Sequence, residues 1–229
     1  MFCNNFFNDS IEVNSFYEER PIEIKLNEFI IDFNHDQKQL MHSIAKGIYL
    51  NIALGSTGVG KTTAAIIEAC NKLVNRQISS IIFTRPQSSF FSRSEKISDP
   101  YMEILNLCLG KNNVKKLIKY NIIKFVSIQS LEIPQLFNTL IICDNSQYIT
   151  KNELNILINK LNRTSKIVLL ADTDLIYNNT QNLKKEFSEF INDIYLTDTF
   201  SNLDVNVIAF ANEYVNLPTF RKFAKLLKK

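Results

Sequence analysis

Short apolar runs alternating with stretches of helical spacing set the rhythm of this chain. Ile48-Tyr49-Leu50-Asn51-Ile52-Ala53-Leu54, Ser80-Ile81-Ile82-Phe83-Thr84, Ile122 to Ser127, Leu140-Ile141-Ile142-Cys143 and Lys166-Ile167-Val168-Leu169-Leu170-Ala171 read as buried strands. Between them the spacing predicts helices. Asp36 to Ala45 turns Leu40, Ile44 and Met41 inward, and Thr63 to Asn75 carries Ala65, Ile66, Ala69, Cys70 and Leu73 on one broad face. Further helices are predicted over Pro100 to Leu109, Val114 to Lys119 and Lys151 to Leu161, the last with Leu154, Leu157, Ile158 and Leu161 inward. Ile194 to Leu196 and Val205 to Phe210 are expected to supply outer strands. Near-continuous apolar strands alternating with helices predict an α/β fold, a mostly parallel sheet with helices on both faces. In such sheets the ligand sits at the carboxyl ends of the strands. Two of these strands end there in an acid, Asp144 and Asp172. Residues 1–33 read as a lead-in with edge strands at Ile22 to Ile24 and Phe29 to Phe33, and residues 34–229 as one domain.

Composition agrees with one domain. The chain has 229 residues, 45% hydrophobic and 21% charged, enough for a single globular core. No apolar run is long enough to span a bilayer, and Met1-Phe2-Cys3-Asn4-Asn5 lacks the basic start of a signal peptide. Cys3, Cys70, Cys108 and Cys143 are scattered, without a C-x-x-C pair, which predicts reduced core thiols and a cytoplasmic protein. With only His35 and His42 to help, a cysteine–histidine metal site is not expected. The net charge of +3 is too small to demand a nucleic-acid partner. It is unevenly spread: Asp9, Glu12, Glu18, Glu19, Glu23 and Glu28 lie early, and Arg221, Lys222, Lys225, Lys228 and Lys229 lie late. That basic tail reads either as a solvated helix face or as a contact for nucleic acid or an acidic neighbouring subunit.

The chemistry concentrates at Gly55-Ser56-Thr57-Gly58-Val59-Gly60-Lys61-Thr62-Thr63, which fits the P-loop pattern G-x-x-x-x-G-K-S/T at every fixed position. A strand enters it and a helix leaves it, the context the pattern requires. Glycines let backbone N–H groups turn toward anionic oxygens, and the helix N-terminus adds partial positive charge. Lys61 is placed to reach the β- and γ-phosphates of a nucleotide, and Thr62 to hold Mg²⁺. The apolar run ending in Asp144 is of the Walker-B type, whose carboxylate holds Mg²⁺ or its waters.

In order and spacing these pieces resemble the PhoH-like family of P-loop ATPases, over roughly Asp36 to Tyr214. The most specific piece is Thr84-Arg85-Pro86. Lys96-Ile97-Ser98-Asp99-Pro100-Tyr101 is similar to the family's K-x-D-P-Y, with one extra residue, and Glu132-Ile133-Pro134 to its E-x-x-P stretch. Ile142-Cys143-Asp144-Asn145-Ser146-Gln147-Tyr148 resembles I-x-D-E-A-Q-N, and Ser165 to Asp172 resembles S-K-x-x-x-x-G-D. The resemblance implies a helicase- or RecA-like core that binds ATP and Mg²⁺ and works as a homo-oligomeric ring, of which a hexamer is one form. It implies an adenine-reading role for Gln37, whose alternative is a plain surface glutamine. It makes Arg85 a structural or phosphate-side arginine, against a pairing with an acid at the sheet edge. Asp144 becomes the Mg²⁺-side carboxylate, and Gln147 and Asp172 become candidates for sensing the γ-phosphate.

The departures bear on catalysis. The glutamate that follows the Walker-B aspartate in the family, the base that orients water, is Asn145 here, which cannot accept a proton. An R-G-R-T-like segment is missing before Asp144, and the family's D-V-V-R-H is Asp204-Val205-Asn206-Val207, without arginine. A missing arginine finger alone costs roughly 10³ to 10⁵ in rate. The residues therefore support binding better than hydrolysis. Three readings follow: a slow ATPase with an RNA-linked activity, a scaffold that binds ATP without hydrolysing it, and a small kinase or GTPase. The last ranks lowest, because Asn159-Lys160-Leu161-Asn162 lacks the aspartate of a guanine-reading motif and no arginine-rich lid is visible. Phe90, Phe91 and Arg93 are candidates for stacking on bases or for packing against a neighbouring subunit.

Overall fold

The computed structural model describes residues 26–27, 33–86, 98–131, 136–160, 162–173 and 204–210. Their elements run α1 (His35–Lys46), β1 (Leu50–Gly55), α2 (Lys61–Val74), β2 (Ser80–Thr84), α3 (Asp99–Leu109), α4 (Lys111–Lys119), β3 (Ile123–Phe125), β4 (Thr139–Cys143), α5 (Lys151–Lys160), β5 (Lys166–Asp172) and β6 (Val205–Ala209). The six strands form one sheet in the order β3-β2-β4-β5-β1-β6, and every pairing is parallel. This is the α/β architecture with a parallel sheet that the alternating pattern predicts, and it carries the glycine loop between β1 and α2 as a P-loop NTPase fold requires.

Both faces of the sheet are covered, which is why its strands are apolar nearly throughout. Ala53, Ile81, Phe83, Leu140, Ile142, Val168 and Leu170 pack under α1 to α4. Their neighbours in sequence, Ile52, Ile82, Ile141, Cys143, Ile167, Leu169 and Ala171, face α5 and the 3₁₀ turn Ile128–Ser130. The alternation follows from side chains pointing to opposite faces of a strand. Leu26 of the lead-in packs against the first cluster, and Asn27 bonds the carbonyls of Leu107 and Cys108 at the end of α3.

Several local boundaries have clear causes. Asn34 and Gln37 form a reciprocal capping box at the start of α1. Thr150 and Glu153 do the same for α5, with Glu153 N–H to Thr150 Oγ1 at 3.2 Å and Thr150 N–H to Glu153 Oε2 at 2.9 Å. Each such cap contributes about 1 kcal/mol. Helix α2 starts at Lys61, two residues earlier than its apolar spacing predicts, because Gly60 ends the loop at φ +87°. The strand expected over Ile122 to Ser127 is only Ile123–Phe125, and the chain then tightens into the 3₁₀ turn. The expected strands at Ile22 to Ile24, Phe29 to Phe33 and Ile194 to Leu196, apart from Phe33 itself, lie outside the described residues, as do the acidic start, the basic tail, Phe90, Phe91, Arg93, Lys96, Ile97 and Glu132 to Pro134. Among the described residues no helix is long and apolar enough to cross a membrane.

Candidate functional site

The carboxyl ends of β1, β5, β4 and β2 bring the candidate residues together. β1 runs into the glycine loop, and its last residue, Gly55, lies opposite Asp172 in the ladder. A Cβ on Gly55 would stand 2.7 Å from Phe210 Cβ and 3.2 Å from Val59 Cγ2, so only glycine fits. Phe210 is held there by its own N–H, which donates to Leu54 O at 2.7 Å. Ser56 and Val59 are buried, whereas Thr57 and Gly58 are exposed at the tip of the loop. No side chain caps α2, so its first-turn amides, with the half-buried Thr62 and Thr63, face the loop without a competing carboxylate or hydroxyl cap. Lys61 is buried and reaches back along the loop, donating to Gly55 O at 2.7 Å and Ser56 O at 2.8 Å.

Gln37 supports this loop from beneath. It is 1% exposed, which removes the surface-glutamine alternative. Its Oε1 accepts from Asn34 N–H at 3.0 Å and its Nε2 donates to Val59 O at 2.9 Å, so the amide ties the start of α1 to the glycine loop.

The acid-tipped strands do not flank the loop strand symmetrically. β5 stands between β1 and β4, so Asp172, not Asp144, is the direct neighbour of the loop strand. Asp172 accepts a hydrogen bond from Thr57 Oγ1, and its N–H donates to Gln147 Oε1 at 3.1 Å. Asp144 follows β4, with its N–H on Thr84 O at 3.1 Å and its Oδ1 receiving Asn145 N–H at 2.9 Å. Burial pushes the Asp144 carboxyl above its ordinary range. The Asn145 amide, the charges of Arg85 and Lys61, and the Tyr101 hydroxyl pull the other way. Lys61 and Arg85 thus act electrostatically on the same carboxylate. Arg85 Nε donates to Tyr101 OH at 3.1 Å, and that hydroxyl lies 3.4 Å from Asp144 Oδ2. Asn145 itself is in the left-handed region, φ +55° and ψ +36°, which asparagine tolerates better than most residues.

A buried polar atom without a partner is uncommon and points to something that a bare protein lacks. Four side-chain atoms are in that state among the described residues. Three of them, Thr84 Oγ1, Ser146 Oγ and Gln147 Nε2, belong to residues at the carboxyl ends of β2 and β4. Together with the half-buried Asp144 carboxylate and an uncapped helix start, these donors suit a nucleotide phosphate with its divalent cation. Tyr101 had no role in the sequence reading although its D-P-Y string was visible, because the meaning of its hydroxyl depends on what β4 brings to it. No sequence signal marks Thr57 as the partner of Asp172.

The chain belongs to the PhoH-like protein family, whose model matches residues 30–213. It is 28% identical over 165 residues to the PhoH-like protein of Mycobacterium leprae (strain TN), covering 65% of this chain and 47% of that protein. It is 28% identical over 139 residues to the PhoH-like protein of Bacillus subtilis (strain 168), covering 56% and 43% respectively. The chain thus spans less than half the length of these curated relatives. Among solved structures, the Pyrococcus furiosus Hef helicase domain matches with a TM-score of 0.48 at 14% identity, covering 76% of this chain and 37% of that one. The large terminase of a thermophilic bacteriophage matches with a TM-score of 0.48 at 9% identity, covering 85% and 50%.

Proposed function

We propose that this chain binds ATP with Mg²⁺ at the glycine loop and hydrolyses it slowly. One observation carries the reading: Lys61, bonded along the loop to Gly55 O and Ser56 O, stands at the same carboxyl end of the sheet as Asp172, opposite Gly55 in the ladder, and Asp144, which follows β4. In this reading the loop amides and Lys61 hold the phosphates, Thr62 and Asp144 hold Mg²⁺, and Arg85 supplies positive charge on the phosphate side. When bound there, the cation would supply neutralising charge for the transferring phosphoryl group. Gln147 and Asp172, already joined to each other and to Thr57, relay the state of the γ-phosphate to the loop. Gln37 reads adenine with what its amide leaves unused, while holding Val59.

A second reading is a nucleotide-holding scaffold without turnover. It is favoured by Asn145, whose left-handed backbone suits asparagine and whose amide cannot act as the base. Assembly into a homo-oligomeric ring and an RNA-linked activity belong to the proposal by family membership. The test is calorimetry with a non-hydrolysable ATP analogue, followed by ATP turnover at saturating Mg²⁺-ATP with and without single-stranded RNA. Lys61→Ala should abolish analogue binding and leave a cooperative thermal transition in place, because the sheet and its two apolar layers do not depend on the ammonium. Unchanged affinity in that variant would sink the nucleotide reading. Turnover above the Lys61→Ala blank favours the slow ATPase, and tight binding without turnover favours the scaffold.

A further inference from the structure

Tyr101 is fully buried at the site, with 0% exposure, as is Phe83 beside it. Its ring stacks on Phe83 at 4.7 Å and 20° and lies nearly parallel to Phe125 at 6.2 Å and 9°. A phenylalanine would fill that stack equally well, so packing does not explain the hydroxyl. The hydroxyl sits between groups of opposite charge. It accepts from Arg85 Nε at 3.1 Å, which turns its own proton toward Asp144 Oδ2 at 3.4 Å. The Arg85 guanidinium also lies over the ring, 5.5 Å from its centroid.

We propose that Tyr101 is a positioning residue for the metal-side carboxylate, its hydroxyl linking Arg85 to Asp144 Oδ2 so that the carboxylate is oriented for a divalent cation. This rests on the Mg²⁺-nucleotide reading of the site. The link from arginine to acid runs through a neutral hydroxyl. A direct bidentate pair with Arg85 would occupy the oxygens that a cation needs. A tyrosine donor fixes one oxygen while leaving the charge of the carboxylate intact. The Asn145 amide fixes the other oxygen at 2.9 Å, so Asp144 is held from both sides. The 3.4 Å separation is long for an O–H···O bond and is of the kind that tightens when a site is loaded. Tyr101 enters from the third position of α3, whose start Pro100 helps to fix. It therefore connects the segment after β2 to the end of β4.

The experiment compares wild type and Tyr101→Phe by calorimetry with a non-hydrolysable ATP analogue, once in EDTA and once at saturating Mg²⁺. Asp144→Asn serves as the reference for full loss of the metal-dependent gain, and Lys61→Ala for loss of phosphate binding. Tyr101→Phe is expected to bind the analogue in EDTA within about twofold of wild type, which also shows that the variant is folded. The extra affinity that Mg²⁺ confers is expected to fall roughly tenfold, the scale of one lost hydrogen bond to a charged group. An unchanged Mg²⁺-dependent gain would overturn the proposal and leave Tyr101 a core aromatic. Equal losses in EDTA and in Mg²⁺ would overturn it too, since the tyrosine would then serve the whole site. Failure of wild type itself to bind the analogue would sink the nucleotide reading, an outcome distinct from both.

Discussion

Asn145→Glu places a carboxylate beside Asp144, at the position to which the family resemblance assigns the base. The structure sets both its cost and its gain. Asn145 holds φ +55° and ψ +36°, where a longer side chain that forms no local hydrogen bond is disfavoured by about 1 kcal/mol or slightly more. In a chain of 229 residues that lowers the melting temperature by about 2 to 4 °C. A second carboxylate near the half-buried Asp144 adds to the cost in the free protein, a cost that a bound cation would relieve. The gain is a general base, worth roughly 10² to 10⁴ in rate where geometry allows proton transfer. Phosphate release should therefore rise at least about tenfold over wild type, with the Lys61→Ala, Asn145→Glu double variant as the blank. Asn145→Asp separates the two effects, since aspartate tolerates the left-handed region but reaches less far. It should melt close to wild type and gain less rate. A lower melting temperature without any rise in phosphate release would refute the assignment of position 145 to the attacking water.

Two further variants probe the loop and the acid. Gly55→Ala drives a methyl group to 2.7 Å from Phe210 Cβ, an overpacking worth about 1 to 3 kcal/mol. Thermal melting should show the loss, with weaker analogue binding, and a wild-type melting curve would mean that Phe210 moves away without cost. Asp144→Asn should stabilise the free protein while removing the Mg²⁺-dependent part of nucleotide affinity. The folded Asp144 carboxyl is raised above its ordinary value of 3.8, so the acid favours folding below that pH and loses this contribution as pH rises through the raised value. The melting advantage of Asp144→Asn over wild type should accordingly be absent in acid, grow through the weakly acidic range and level off near neutral pH. An advantage that shrinks as pH rises would show that the carboxylate is stabilised in the fold.

What the sequence reveals and what it hides divide along physical lines. β4 and β5 were legible as apolar runs tipped by Asp144 and Asp172, because burial on both faces of a parallel sheet leaves little room for polar residues. The loop was legible because every fixed position carries out a local steric or electrostatic task. The order of strands was not, since placing β5 between β1 and β4 depends on how helices pack across the sheet, and no short window encodes that. The depth of Gln37 was hidden for the same reason: its spacing on α1 is that of an ordinary polar position, yet Val59 meets it from a loop 22 residues away. Its capping partner was readable in principle, as Asn34 and Gln37 stand at capping-box spacing. The left-handed backbone at Asn145 gave only the hint that asparagine itself provides.

On the proposed reading, the parts of the site that would hold phosphate are woven into the fold, whereas the side chain at position 145 is not. Gly55 is pinned against Phe210, Gln37 joins α1 to the loop, and Asp172 ties β5 to Thr57. Disturbing any of these three disturbs packing or a hydrogen bond between elements, so these positions of the cradle are tied to the core. Asn145 contributes its backbone N–H to Asp144 and no side-chain cap to its 3₁₀ turn, and asparagine relieves strain there that glutamate would add. The amide bond to Asp144 survives whichever side chain is present. Asparagine therefore stands at this position with no cost to the fold. That asymmetry is the physical reason a chain with an intact P-loop is expected to hold nucleotide more reliably than it turns it over.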